Sequence, residues 1–176
     1  EFKELEVVLK SMGYEVRTEV GLIGACEEIH YLTPLSLRPV KTEGDWQQKI
    51  SLHHDCQLDP DGYGTKAEKW VEMERKKYEQ GTLQSYLIEA DGQVCGSIGT
   101  MEFPHLLRLK NLVIHPLHRQ KGFASQAVHL CRDIGREKGK LGIGCFAIAG
   151  GIGEKVYKCC GMREMTKQVE WSKNIN

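Results

Sequence analysis

Residues 112–128 read LVIHPLHRQKGFASQAV, and how this stretch folds decides the rest. Leu112, Val113 and Ile114 form an apolar, β-rich run that stops at His115-Pro116, because proline has no amide hydrogen to give a sheet. Phe123, Ala127, Leu130, Cys131 and Ile134 then fall on one face of a helical repeat, so a strand leads through a basic turn into a helix. Arg119, Gly122 and Ala124 give the first turn of that helix the spacing R-x-x-G-x-A. The first amides of a helix lack intrahelical acceptors and carry the positive end of its dipole. They form a ready anion site, and Gly122 and Ala124 leave room for a pyrophosphate to reach the backbone. Ser125 adds a hydroxyl, while Arg119 and Lys121 add charge that is unfavourable at a helix start unless an anion is near. The spacing is neither the G-x-x-x-x-G-K-[ST] of a nucleoside-triphosphate loop nor the G-x-G-x-x-G of a dinucleotide fold.

Outward from this centre the elements are regular. LLRLKNLVI (106–114) is the strand itself, and SYLIEADGQVCGSIGTMEF (85–103) holds two more, joined by Asp91-Gly92, a strong hairpin signal. Before them DWQQKISLHHDC (45–56) and TKAEKWVEMERKKYEQG (65–81) read as helices, the second opened by a Thr65/Glu68 capping box and closed by Gly81. LSLR (35–38), between Pro34 and Pro39, is the first strand of the main domain. After the central helix come a buried strand in KLGIGCFAIAG (140–150), a short helix in IGEKVYKCCG (152–161) and a polar closing strand in REMTKQVEWSKN (163–174). The order β, α, α, β-hairpin, β, α, β, α, β predicts an α/β (α+β) fold with a mixed sheet flanked by helices, spanning residues 34–176. Residues 1–33 read as an N-terminal appendage: Leu5, Val8, Leu9 and Met12 at helical spacing, Gly13 as a cap, then Tyr14, Val16, Thr18 and Val20 alternating as a strand.

Bulk properties narrow the function. Twenty-four basic residues balance twenty-four acidic ones, so no overall field steers the chain to nucleic acid or an anionic membrane. No run approaches a membrane span and no signal peptide opens the sequence. Seven cysteines leave one over in any full pairing and lie mostly in apolar runs, which reads as a reduced, cytoplasmic protein. No metal site is expected. His53, His54, Asp55 and Cys56 are contiguous, point in different directions on either a helix or a strand, and are read as a solvated loop or helix end.

The stretch LVIHPLHRQKGFASQAV resembles the acetyl-coenzyme A signature of the GNAT superfamily of N-acetyltransferases: a hydrophobic strand, a V-x-P-like end, and [RQ]-x-x-G-x-[GA] opening a long helix. The order of elements from about Leu35 to Lys173 resembles that fold too, which implies a mostly antiparallel mixed sheet. The resemblance implies that the backbone of Leu112, Val113 and Ile114 pairs with the pantetheine arm, with the Val113 amide toward the thioester carbonyl. It implies that Arg119, Gln120, Lys121, Gly122, Phe123, Ala124 and Ser125 hold the pyrophosphate. VYKCCGM resembles the family's helix-ending Tyr…Gly pattern, which makes Tyr157 the general acid for the leaving sulfur. The implied function is acetyl transfer from acetyl-CoA to a primary amine, small-molecule or peptide, by direct attack in a ternary complex.

Two departures qualify the pattern. Gly150 and Gly153 stand where the family often has Asn and a small residue, and Arg108, Lys110 and Asn111 occupy the strand positions where many members carry a glutamate base. Glu102 and His105 are weak substitutes for that base. The missing carboxylate supports an alternative, an acetyl-CoA-binding module that is catalytically weak or inactive; a homodimer is compatible with either reading. VLKSMGYEV (8–16) aligns with VYKCCGMRE (156–164) at Val, Lys and Gly, as the end of an upstream copy of the fold would, although any helix-Gly-strand junction gives such a match and the plainer reading is preferred. The chain begins inside a helix and without Met, as a fragment would.

Overall fold

A computed structural model describes residues 2–27, 34–57 and 67–172. The elements are α1 (Phe2–Ser11), β1 (Glu15–Ala25), β2 (Leu35–Pro39), α2 (Glu43–Gln57), α3 (Ala67–Glu79), β3 (Gln84–Ala90), β4 (Gln93–Glu102), β5 (Leu106–Ile114), α4 (Phe123–Glu137), β6 (Gly142–Ile148), α5 (Ile152–Cys159) and β7 (Arg163–Ser172), with a 3-10 turn at Pro116–His118. Mixed order with a mostly antiparallel sheet is the architecture expected from the sequence. Thr65, read as a helix cap, lies outside the described residues.

One seven-stranded sheet runs β2-β3-β4-β5-β6-β1-β7. Every neighbouring pair is antiparallel except β5 and β6, which are parallel and share a ladder of three pairs, Leu106–Arg108 against Gly142–Gly144. Past Arg108 the two strands leave each other, although β5 continues to Ile114 and β6 to Ile148. The sheet therefore divides into two antiparallel halves that touch at one end and open at the other.

Strand alternation assigns residues to two layers. Ile88, Leu107, Leu109, Ile143 and Cys145 face α4 and α5, where they pack with Ala127, Val128, Cys131 and Tyr157. Leu87 faces the other way, onto Trp46 and Val71 of α2 and α3. Asp91 and Gly92 turn the β3–β4 hairpin at φ 51° and 75°, the paired positive values that a two-residue hairpin turn requires.

The N-terminal strand sits inside the sheet, pairing with β6 on one side and β7 on the other. Its helix closes as α5 does. Gly13 N–H reaches Lys10 O and Tyr14 N–H reaches Leu9 O, just as Gly161 N–H reaches Lys158 O and Met162 N–H reaches Tyr157 O. Both glycines hold positive φ, 78° and 75°, so both junctions are Schellman motifs.

Candidate active site

Strand β5 changes face in its middle. Ser97 pairs with Val113 and Gly99 with Lys110, so β5 carries one residue more than β4 between those points. The extra residue is a β-bulge, and Asn111 takes φ 49°, a left-handed conformation that asparagine tolerates better than most side chains. Without the bulge Val113 would share the face of Leu107 and Leu109. With it, Val113 turns onto Leu52 and Cys56 of α2, while Leu112 and Ile114 turn toward the α4 and α5 layer.

The bulge is tied to a buried charged pair. Asn111 donates to Glu74 of α3, and Glu74 accepts from Lys49 of α2, whose ammonium also donates to Ser85 Oγ at 2.7 Å. Lys49 is fully buried and Glu74 nearly so. Burial of a charge is tolerated here because the opposite charge and hydrogen-bond partners accompany it.

After β5, His115 Nδ1 accepts from the Leu117 amide at 3.2 Å, closing the 3-10 turn, and Arg119 Nε donates to Ile114 O at 3.1 Å. Gln120 and Gly122 then adopt φ 61° and 77°. Helix α4 starts at Phe123, four residues later than the sequence reading placed its first turn; Arg119–Gly122 are a turn that precedes it. Gly122 is the N-cap and supplies no capping side chain. A Cβ there would stand 3.5 Å from Gln126 Nε2 and would force a left-handed backbone on a substituted residue. The helix start thus keeps its amides free of a side-chain cap at Gly122, a cradle that fits a phosphate group.

Tyr157 is buried on α5 in the apolar cluster against which Leu112, Ile114 and Phe123 also pack. The fold gathers the strand end, the helix start and this tyrosine on one side of the sheet. Ser125 lies on the first turn of α4, and its carbonyl receives the Cys160 thiol at 3.9 Å. Burial pushes the Cys145 thiol up to about 12, which keeps it protonated and unreactive. Glu102, by contrast, pairs with Lys138 and Lys140 at the far end of β4, opposite Leu107, and His105 lies in the connection that follows.

The segment His53–Cys56 is a helix end, as one of the two expected readings had it, but only half of it is solvated. It is the last part of α2, with His53 and Cys56 buried and His54 and Asp55 exposed. The buried face of α2 carries Trp46, Lys49, Leu52, His53 and Cys56, a helical spacing that contains two polar residues. His53 Nε2 lies 3.3 Å from Ser97 Oγ, on the residue paired with Val113. His53, Trp70, Asn111 and Val113 line a shallow recess between α2, α3 and the sheet, with room for little more than a water molecule. Desolvation lowers the His53 pKa to about 4; Lys49 and His54 push the same way and Glu74 opposes them.

Residues 48–162 match the acetyltransferase (GNAT) family, and the chain belongs to that family. Among curated proteins no sequence matches it. Its fold is similar to that of a functionally unknown conserved protein from Staphylococcus epidermidis, with TM-score 0.79, 12% identity, and coverage of 98% of this chain and 68% of that one. It is also similar to a GCN5-related N-acetyltransferase from Sphaerobacter thermophilus, with TM-score 0.66, 15% identity, and coverage of 95% and 55%. A spermidine N-acetyltransferase from Vibrio cholerae, solved with CoA and spermine, aligns with TM-score 0.54 and 19% identity over 73% of this chain and 80% of that one. Several of these similar chains are longer, so that the chain spans 55% of the Sphaerobacter protein and 65% of a GNAT-family protein from Novosphingobium aromaticivorans. No helix of the described residues is long and apolar enough to cross a membrane.

Proposed function

We propose that the protein transfers an acetyl group from acetyl-CoA to a primary amine. The observation that carries this reading is the parting of β5 from β6 after Arg108, directly beside the uncapped turn at Gly122. A strand edge without a ladder partner offers amides and carbonyls to an extended polar arm, and the helix start beyond it offers amides to phosphates. When bound, acetyl-CoA supplies the activated thioester. The backbone of Leu112, Val113 and Ile114 holds the pantetheine arm, although the amide expected at the thioester carbonyl is not that of Val113, whose N–H and C=O face Ser97 and Gly96 of β4. The turn and first helical residues, Arg119 to Ser125, hold the pyrophosphate. Tyr157 donates its proton to the departing sulfur. Binding both reactants supplies orientation, and no covalent enzyme intermediate is needed. Cys145 is too firmly protonated to be a nucleophile.

The acceptor is a small-molecule or peptide amine. Seven free cysteines suit a reducing, cytoplasmic setting. Thiol release from acetyl-CoA, measured against a panel of primary amines, tests the proposal: turnover that saturates in both reactants is expected. Tight acetyl-CoA binding with no thiol release from any amine would favour the binding-module alternative, to which the lack of a carboxylate at Arg108, Lys110 and Asn111 lends support.

A further inference from the structure

We infer that Arg108 and Lys110 of β5 form a carboxylate-binding subsite beside the opening between β5 and β6, so that the acceptor is a primary amine carrying a carboxylate, as an apolar amino acid does; this rests on the acetyl-transfer reading. Both cations are half-buried, and no hydrogen bond or ion pair reaches either from a described residue. Other cations withdrawn from water are met: Arg38 by Asp45 and Glu89, Lys49 by Glu74, and Lys140 by Glu102. Arg17, Arg108 and Arg132 each have a buried Nε without an acceptor, yet Arg17 lies 3.7 Å from Glu19 and Arg132 donates to the Cys160 carbonyl. Arg108 has neither kind of relief. An unpaired charge in a partly desolvated place is costly, and an anion arriving from solvent offsets that cost.

Their place in the fold ties the two cations to the reaction. Leu107 and Leu109 point to the α4 layer, so Arg108 and Lys110 lie on the opposite face of β5, the face of α2 and α3. Arg108 is the last residue of β5 paired with β6 and marks the vertex at which the strands part. Lys110 stands two residues, about 7 Å of strand, before Leu112, where the pantetheine arm is held. The Arg108 guanidinium lies over the Phe146 ring, 5.0 Å from its centroid, a stacking that fixes its plane without using its N–H groups. Paired guanidinium N–H groups match the two oxygens of a carboxylate. Ile23 and Ile148, exposed on the same face, extend the apolar surface of Phe146 toward an acceptor side chain.

The carboxylates on the surrounding elements are already engaged. Glu74 of α3 accepts from Lys49 and Asn111, and Glu19 of β1 accepts from Gln168 at 2.7 Å with Arg17 beside it. Lys77 of α3 adds a third positive charge, and burial, Arg108 and Lys77 together lower the Lys110 pKa. A carboxylate bound here reverses that shift and leaves the amine of the same small molecule free to reach the thioester. A polyamine, positive throughout, meets repulsion instead.

Thiol release at pH 7.5 with L-phenylalanine, L-phenylalaninamide and spermidine tests the assignment in wild type, Lys110→Met and Arg108→Met, with thermal unfolding alongside. Wild type is expected to use phenylalanine with a kcat/KM about tenfold or more above that for the amide, although more of the amide is free base at this pH. Each variant should cut this ratio about tenfold, mainly through KM for phenylalanine. Tm should stay level or rise, because each variant removes an unpaired charge, whereas a merely structural cation would lower Tm and leave the ratio alone. Should one variant not fold, the other decides. A wild type that uses phenylalaninamide or spermidine as efficiently as phenylalanine, or a folded variant whose ratio stays within threefold of wild type, overturns this inference and leaves acetyl transfer standing. A wild type that binds acetyl-CoA but releases no thiol with these amines or a wider panel overturns both.

Discussion

At Gly122 and Tyr157 single atoms carry the proposed chemistry. Gly122→Val would place a β-branched side chain on a backbone with φ 77° and crowd the helix start, a cost of about 1–3 kcal/mol in strain alone. The expected result is a KM for acetyl-CoA raised tenfold or more, with the amine KM little changed, read from initial rates. Tyr157→Phe keeps the packing of a side chain that is 7% exposed and removes only its hydroxyl. A fall in kcat of about 100-fold with coenzyme A affinity retained is expected for loss of a general acid. His53 also ties stability to pH. Its folded-state pKa lies near 4, below the ordinary value of 6.5, so the unfolded chain binds the proton first as pH falls. Stability is thus lost on acidification through this window, by about 2 kcal/mol between pH 6.5 and pH 5. Urea midpoints of wild type and His53→Gln should converge as pH falls over that range.

Helix α2 is legible in extent, residues 45–56 from the sequence against Glu43–Gln57 in the structure, but its buried polar face is not. Its N-terminus is fixed locally: Thr42 Oγ1 accepts the Asp45 amide at 3.2 Å and Asp45 accepts the Thr42 amide at 2.8 Å, a reciprocal cap. Its buried face, however, holds Lys49 and His53 where apolar residues would ordinarily sit, so hydrophobic periodicity understates the helix and HHDC looks like a solvated end. The signal was present in the spacing of Trp46, Lys49, His53 and Cys56, but a polar residue on a buried face is recognised only once its partners on α3 and β5 are known. The bulge at Asn111 was hidden for the same reason, since LLRLKNLVI gives no local mark of an extra residue. By contrast, Asp91-Gly92 and R-x-x-G-x-A were legible because a turn's chemistry is local. The Lys49–Glu74 pair makes its own prediction. Glu74→Gln leaves a buried ammonium uncompensated and should cost about 3–5 kcal/mol in urea unfolding. The double variant Lys49→Met/Glu74→Gln, which removes the unpaired charge and keeps an oxygen for Asn111, should regain most of that.

Across the whole molecule, the sequence order predicts the layers and the placement of helices but not where the N-terminal strand goes. Nothing in residues 15–25 names its partners, because an antiparallel register is set by strands more than a hundred residues away. Strand β1 lies between β6 and β7, and removing residues 1–25 should therefore strip a central member from one half of the sheet. The truncated chain is expected to lose its cooperative thermal transition and to elute as aggregate in size-exclusion chromatography, whereas loss of a dispensable appendage would leave both unchanged.

The same placement has a consequence in time. During synthesis β1 emerges early and has no partner until Gly142 and the residues after it leave the ribosome, roughly 120 residues later, on the order of 10 s at ordinary elongation rates. The hairpin and α2, α3 and α4 can meet before then, but the second half of the sheet must wait for its last two strands. Folding should be slow for a domain of this size, because its distant pairings close long loops before they gain contact energy. Of the seven described strands, the one with the lowest residue numbers is thus among the last to be fixed, and its edges stay open to chaperone binding until β6 and β7 have both left the ribosome.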